Sequence, residues 1–328
     1  MMTLFFGCFK PESPHLIEDT FSIQLEFDQN IRAQYLDLTE RRIVTAIAPV
    51  PWHVRFACNT NDFRVEINSA AGIAGHRVSN LAYEAVDQTY PVDKIIWDYD
   101  LPDGSISSTV VGAWGDFSFP EPKSLNDIVL LKIPINNDEL ILKLQIMGVE
   151  NERYQIQTSL LDNSVRDTFY VSRNTNSNYR YINLLERVDI EFEPPASNWD
   201  LVFTHFVDTT IDGMAPDNPF VEQLNSYLAT YPGLLSNSTE VEWVRTNRSI
   251  APDSVHFQLA QGQSFRDQTG VMDAQSMKLT QSGKPFLNQK HGYFFKKQSD
   301  DQYFYIQIDE YHIETTGKGR VSLTIKSL

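Results

Sequence analysis

The chain has 328 residues, 41% of them apolar and 12% aromatic, which is material for a sizeable core and for two domains. A formal net charge of −16, with Asp and Glu spread along the chain rather than blocked, leaves no basic stripe to neutralise phosphates and excludes nucleic acid as a partner. No run of about 18 apolar residues occurs, which excludes a membrane-spanning helix.

At the N-terminus, Leu4-Phe5-Phe6-Gly7-Cys8 is followed by a polar stretch and resembles a bacterial lipobox. The resemblance implies cleavage before Cys8 and a diacylglycerol on its thiol. The usual basic segment and long apolar core before such a motif are missing. Residues 1–22 are therefore read as a truncated signal with its lipobox and a tether, held to a membrane by acyl chains. With Cys8 lipidated, Cys58 has no disulfide partner; it reads as a small buried thiol at the end of a strand over 52–58.

Strand signals dominate thereafter. Leu140 to Ile146 and Val321 to Lys326 alternate apolar and polar residues, and Tyr303 to Ile308 is rich in aromatic and β-branched types. Turn residues at Pro102-Asp103-Gly104, Asn136-Asn137-Asp138, Ser299-Asp300-Asp301 and Gly317-Lys318-Gly319 punctuate these runs. Helical spacing is clearest from Pro219 to Thr230. An all-β fold with few short helices is expected.

An internal repeat organises the chain. Tyr35-Leu36-Asp37-Leu38-Thr39-Glu40-Arg41 is answered by Tyr181-Ile182-Asn183-Leu184-Leu185-Glu186-Arg187. Trp52-His53-Val54-Arg55-Phe56 is answered by Trp199-Asp200-Leu201-Val202-Phe203, and each copy ends in a similar hairpin. Two tandem, related antiparallel β-sheet modules are expected, over 23–165 and 171–328.

The second copy carries a family resemblance. Asn198-Trp199-Asp200-Leu201-Val202-Phe203 resembles the Trp-Asp strand of the HmuY family of Bacteroidota lipoproteins. Gly233-Leu234-Leu235-Ser236-Asn237 is similar to a second segment of that family, and Tyr303 to Leu328 to its C-terminal hairpin. Trp97 to Gly115 resembles longer members, so the likeness is clearest over 179–328 and weaker over 35–165. It implies an all-β domain in a cell-envelope lipoprotein on the outer membrane, with haem as a ligand.

Axial haem ligation needs His or Met side chains facing each other across an apolar slot. The region after the Trp-Asp strand offers His256, Met272, Met277 and His291, of which His256 with Met272 is the candidate pair. Strand alternation from Trp199 puts Leu201, Phe203 and His205 on the same face as Trp199. The series Asp98, Asp100, Asp103-Gly104 has the flavour of a calcium loop, but its spacing suits a turn better. Asn237-Ser238-Thr239 fits a glycosylation pattern and reads as loop polarity. No nucleophile elbow, metalloprotease motif or phosphate-cradling glycine loop is present, and carboxylates two apart such as Glu191 and Glu193 do not identify a glycosidase. The expected function is non-catalytic binding of a ligand at the envelope through the HmuY-like domain, with haem as one candidate ligand; the alternative is a structural or interaction module presenting loops to an envelope protein or glycan.

Overall fold

The computed structural model describes residues 19–27, 33–48, 51–101, 105–136, 138–173, 176–209, 228–246, 250–265, 271–272, 292–313 and 319–328. Its first half contains β1 (Thr20–Phe27), β2 (Ala33–Asp37), β3 (Arg42–Ile47), β4 (Val54–Ala57), β5 (Val65–Ile67), β6 (Ala74–Val78), β7 (Gly115–Asp116), β8 (Lys123–Ser124), β9 (Ile128–Ile135), β10 (Asp138–Glu150) and β11 (Arg153–Leu160). The second contains β12 (Asp167–Ser172), β13 (Tyr179–Asn183), β14 (Val188–Ile190), β15 (Leu201–Thr209), β16 (Leu228–Ser236), β17 (Val241–Arg245), β18 (Val271–Met272), β19 (Gly292–Lys297), β20 (Tyr303–Ile313) and β21 (Gly319–Ser327). Among the described residues one short α-helix, α1 (Phe257–Gln261), and several single 3-10 turns interrupt them. The fold is all-β.

The strands form four sheets. The first runs β1-β21-β20-β19-β17, the second β18-β16-β15-β2-β3 and the third β14-β13-β4-β5. The fourth runs β12-β11-β10 and continues to β8 and β7, with β9 pairing both β10 and β6. Three apolar clusters stack the sheets in that order. Leu25, Leu323 and Phe304 of the first sheet meet Leu36, Leu201 and Phe203 of the second. Tyr35 and Val202 on the other face of the second sheet meet Tyr181 of the third. Ile182 and Phe56 of the third meet Leu144 and Ile156 of the fourth. The two inner sheets are thus covered on both faces, which is why Ala33 to Leu36 are all buried instead of alternating. Each such Leu or Phe contributes roughly 2 kcal/mol of burial.

The sheets cross the repeat boundary. β1 of the first copy pairs with β21 of the second, and β2 pairs with β15. Reciprocally, β12, which begins at Asp167 ahead of the second copy's expected start, and β13 pair with β11 and β4 of the first. Residues assigned by sequence to 23–165 and 171–328 are therefore shared between sheets: β1 to β3 complete the sheets of the second copy, and β12 to β14 those of the first. The physical reason is the edge each Trp strand leaves open, which only the other copy's hairpin fills. Strand β1 also begins at Thr20, inside the stretch read as tether.

The exchange is symmetric to the residue. Tyr35 lies opposite Val202, three after Trp199, and Tyr181 lies opposite Arg55, three after Trp52. In each hairpin an Asx side chain folds the turn: Asp37 Oδ1 accepts from Thr39 N at 2.9 Å and Glu40 N at 3.0 Å, and Asn183 Oδ1 from Leu185 N at 3.0 Å and Glu186 N at 3.1 Å. Each turn closes on an arginine in the left-handed region, Arg41 at φ 55° and Arg187 at φ 58°. Glycine would be unstrained there. The arginine instead reaches back to the head of its copy's first strand: Arg41 pairs with Asp19, and Arg187 with Asp167 at 3.2 Å.

Two expectations change. Trp199 joins Val202 in the junction between the inner sheets, while Leu201 and Phe203 face the other way. The strand begins only at Leu201, so alternation does not extend back to the tryptophan. Of the helix read over Pro219 to Thr230, residues 228–230 are strand β16 and the others lie outside the described residues.

Candidate functional site

Ionisable groups gather in a chamber of about 110 Å³ between the inner sheets, walled by Tyr35 and Trp199, by Trp52 and Tyr181, and by Arg55, Glu66, Asp100 and Glu193. The two Tyr–Trp pairs are equivalent through the repeat and both edge-to-face, with centroids 4.9 Å apart for Tyr35–Trp199 and 5.2 Å for Trp52–Tyr181. Both pairs sit on a shared frame. Asp200 N donates to Leu36 O at 2.7 Å, and His53 N to Ile182 O at 2.8 Å. Asp200 Oδ2 accepts from Leu38 N at 2.8 Å, and His53 Nδ1 from Leu184 N at 2.9 Å. Asn237 Nδ2 donates to Trp199 O at 2.8 Å, and Asn68 Nδ2 to Trp52 O at 3.0 Å.

Asn237 is fully buried and also donates to Ala196 O at 2.6 Å. It ties the strand ends together rather than serving as loop polarity.

The charges in the chamber are engaged within the protein. Arg55 Nε donates to Glu66 Oε2 at 2.7 Å, and the guanidinium stacks 4.3 Å from the Tyr179 centroid. Burial would push that guanidinium down, but the Glu66 carboxylate holds it charged. Glu193 accepts from Asn178 N at 2.9 Å and Tyr179 N at 3.1 Å. Burial nonetheless raises its carboxyl to about 7. Asp100 accepts from Ile67 N at 2.5 Å and Val110 N at 2.6 Å. Burial, and then the Glu66 charge, raise it to about 8. Asp100 thus braces a turn; Asp103 of the calcium-like series lies outside the described residues. Among the described residues no group of three or more His, Cys, Asp or Glu could hold a metal ion. At this volume the chamber falls well below the roughly 300–1,000 Å³ usual for ligand pockets.

A second concavity, an open groove of about 830 Å³, lies outside the third and fourth sheets and does reach that range. Phe63, Phe117 and Phe119 line it together with Arg173 and Cys58. The Cys58 thiol is half-buried, donates to Phe56 O at 3.5 Å, and is pushed up by burial to about 12, so it is inert at neutral pH.

The residues singled out from sequence lie elsewhere. His256 is exposed at the head of α1, where its Nδ1 accepts from Leu259 N at 3.3 Å. That bond leaves Nε2 available to a ligand. Met272 lies on edge strand β18 with its backbone opposite Leu234. His205 borders the chamber from β15. Cys8, Met277 and His291 lie outside the described residues. Arg55, Glu193 and Arg173 carry no local motif; only the repeat, which aligns Trp52 with Trp199, pointed to the neighbourhood of the first. Among the described residues no helix is long and apolar enough to cross a membrane. Compared with family models, with curated proteins and with solved structures, the chain matches none of them.

Proposed function

We propose that the chain is a non-catalytic binding protein of the cell envelope, lipid-anchored to the outer membrane through Cys8 and built on an HmuY-like scaffold. The observation that supports the non-catalytic part is the pairing inside the chamber. Arg55 is engaged with Glu66, and the Glu193 and Asp100 carboxyls are each engaged with two backbone amides. Structural ion-pair networks shift pKa values as active sites do, and here each charged group has a partner within the protein.

Haem is the ligand to test first, held from His256 and Met272. Titration of the purified protein with haem should shift the Soret band, and His256→Ala or Met272→Ala should reduce the shift. An unshifted spectrum removes haem from the reading. For the anchor, a lipid-labelled band from the native locus should disappear with Cys8→Ser.

A second reading, an interaction module without haem, draws on exposed apolar side chains around the fourth sheet: Phe119 is 50% exposed, Leu125 54% and Tyr170 52%. A photo-crosslinker at Tyr170 should then capture an envelope component that a crosslinker at exposed Asp253 does not.

A further inference from the structure

We infer that the chamber between the inner sheets is a cage for a quaternary ammonium head group, such as that of choline. This gives the binding reading a ligand class and does not depend on haem.

The walls are aromatic. Tyr35, Trp52, Tyr181, Phe192 and Trp199 all line the chamber. Trp52 meets Tyr181 at 80° and Phe192 at 62°, with centroids 5.2 Å and 5.8 Å apart, and Tyr35 meets Trp199 at 76°. Rings set this steeply to one another stand like the sides of a box, and aromatic faces attract a cation through their quadrupoles. One cation already uses a ring of this chamber: the Arg55 guanidinium lies 4.3 Å from the Tyr179 centroid.

The charges leave an excess of two carboxylates. Arg55, Glu66, Asp100 and Glu193 are the charged residues of the lining. Arg55 is matched by Glu66, and Arg64, 3.8 Å from Glu66, is taken up by Asp62. Asp100 and Glu193 have no cation at ion-pair distance among the described residues. Their four oxygens are met by backbone amides instead: Ile67 N and Val110 N on Asp100, Asn178 N and Tyr179 N on Glu193. Enclosed carboxylates are ordinarily paired with positive charge. A cation between them would restore the charged forms that burial disfavours, and a chain of net charge −16 draws cations in.

Size and hydrogen bonding choose among cations. A cavity of roughly 150 Å³ accommodates benzene. About 110 Å³ therefore suits a trimethylammonium group whose remainder lies outside, past Leu101, which is 44% exposed in the lining. A primary ammonium brings three N–H donors to oxygens that amides already engage. A quaternary ammonium brings none and asks only for charge and aromatic contact. A metal ion is disfavoured, since no group of three or more His, Cys, Asp or Glu among the described residues could hold one.

The test is calorimetry on the full chain with choline chloride, ethanolamine and dimethylbutanol, the uncharged tert-butyl analogue of choline. Choline should bind, and the other two should bind at least about tenfold more weakly. This comparison needs no variant. Trp52→Leu keeps apolar bulk but removes one wall and should weaken choline about tenfold or more, whereas Trp52→Phe should retain most of the binding; thermal melting of both shows that they fold. Sedimentation with phosphatidylcholine vesicles, competed by free choline, would support the cage with a lipid as the source of the head group. No binding of choline, equal binding of dimethylbutanol or ethanolamine, or indifference to a folded Trp52→Leu overturns the inference. A haem shift without choline binding would overturn the cage and leave the binding reading standing.

Discussion

Tyr35 stands edge-on to Trp199 with ring centroids 4.9 Å apart, although the two belong to different copies of the repeat. Trp199 is 4% exposed, and its indole N–H has no hydrogen-bond partner among the described residues, so packing is what it contributes. Trp199→Ala should destabilise the protein by about 3–5 kcal/mol in urea titration. Trp52→Ala, at the half-buried equivalent, should cost less. In a double-mutant cycle Tyr35→Ala and Trp199→Ala should couple by about 0.5–1.5 kcal/mol. Strict additivity would mean the ring contact carries nothing.

The exchange of strands predicts where the chain can be cut. Residues 171–328 alone lack β1 to β3, leaving β15 and β21 with open ladders beside buried apolar faces. That fragment should be unfolded or aggregated, and so should 19–165. Mixed during refolding, 19–165 and 166–328, the latter keeping β12 whole, should give one soluble complex with the parent's circular dichroism. Residues 51–195, which hold the third and fourth sheets entire, should melt cooperatively alone. Cooperative melting of 171–328 by itself would refute this account.

His53 gives an acid-side prediction. Burial depresses its imidazole to about 4, and Nδ1 must stay unprotonated to accept Leu184 N. A group depressed on folding contributes stability above its unfolded value near 6.5 that is lost as pH falls toward 4, up to about 3 kcal/mol. His53→Asn offers an oxygen where Asp200 stands in the other copy. It should keep the amide bond and abolish most of that loss, measured as unfolding free energy at pH 7 and pH 4.5.

On the alkaline side the sign reverses. Glu193 at about 7 and Asp100 at about 8 are both raised on folding, chiefly by burial, and Asp200 is raised for the same cause. Their contribution is complete below the unfolded carboxylate values and is lost as pH rises through about 7 and 8. In the His53→Asn background, stability should therefore fall steadily from pH 5 to pH 8. A flat or rising profile would show that Glu193 and Asp100 titrate normally.

Much of the local structure is legible from residues alone. Asn136-Asn137-Asp138 announces the turn between β9 and β10, with Asn136 in the left-handed region at φ 56°. Alternation places Leu142, Leu144 and Ile146 correctly in the core. It fails for Lys143, expected in solvent but fully buried, with its ammonium on Tyr83 O at 3.0 Å and Val86 O at 2.7 Å. A loop folding back over a sheet leaves no periodic trace. The exchange was equally hidden: the Tyr35 and Tyr181 hairpins carry the same motif, so the repeat itself does not say that each pairs with the other copy's Trp strand. The groove depends on Arg173 reaching the turn at Asn59 to Asp62, a contact between residues far apart in sequence that no local pattern encodes.

The pairing of β1 with β21 also bears on the order of events during folding. Thr20, opposite Lys326, is synthesised long before its partner. The first sheet cannot close while the chain is still emerging, and early intermediates must carry β1 as an unpaired apolar strand. Such long-range closure makes folding slow and exposes the nascent chain to aggregation. Once made, the same ladder fastens both ends of the described chain to each other, so unfolding cannot begin by fraying at one end alone.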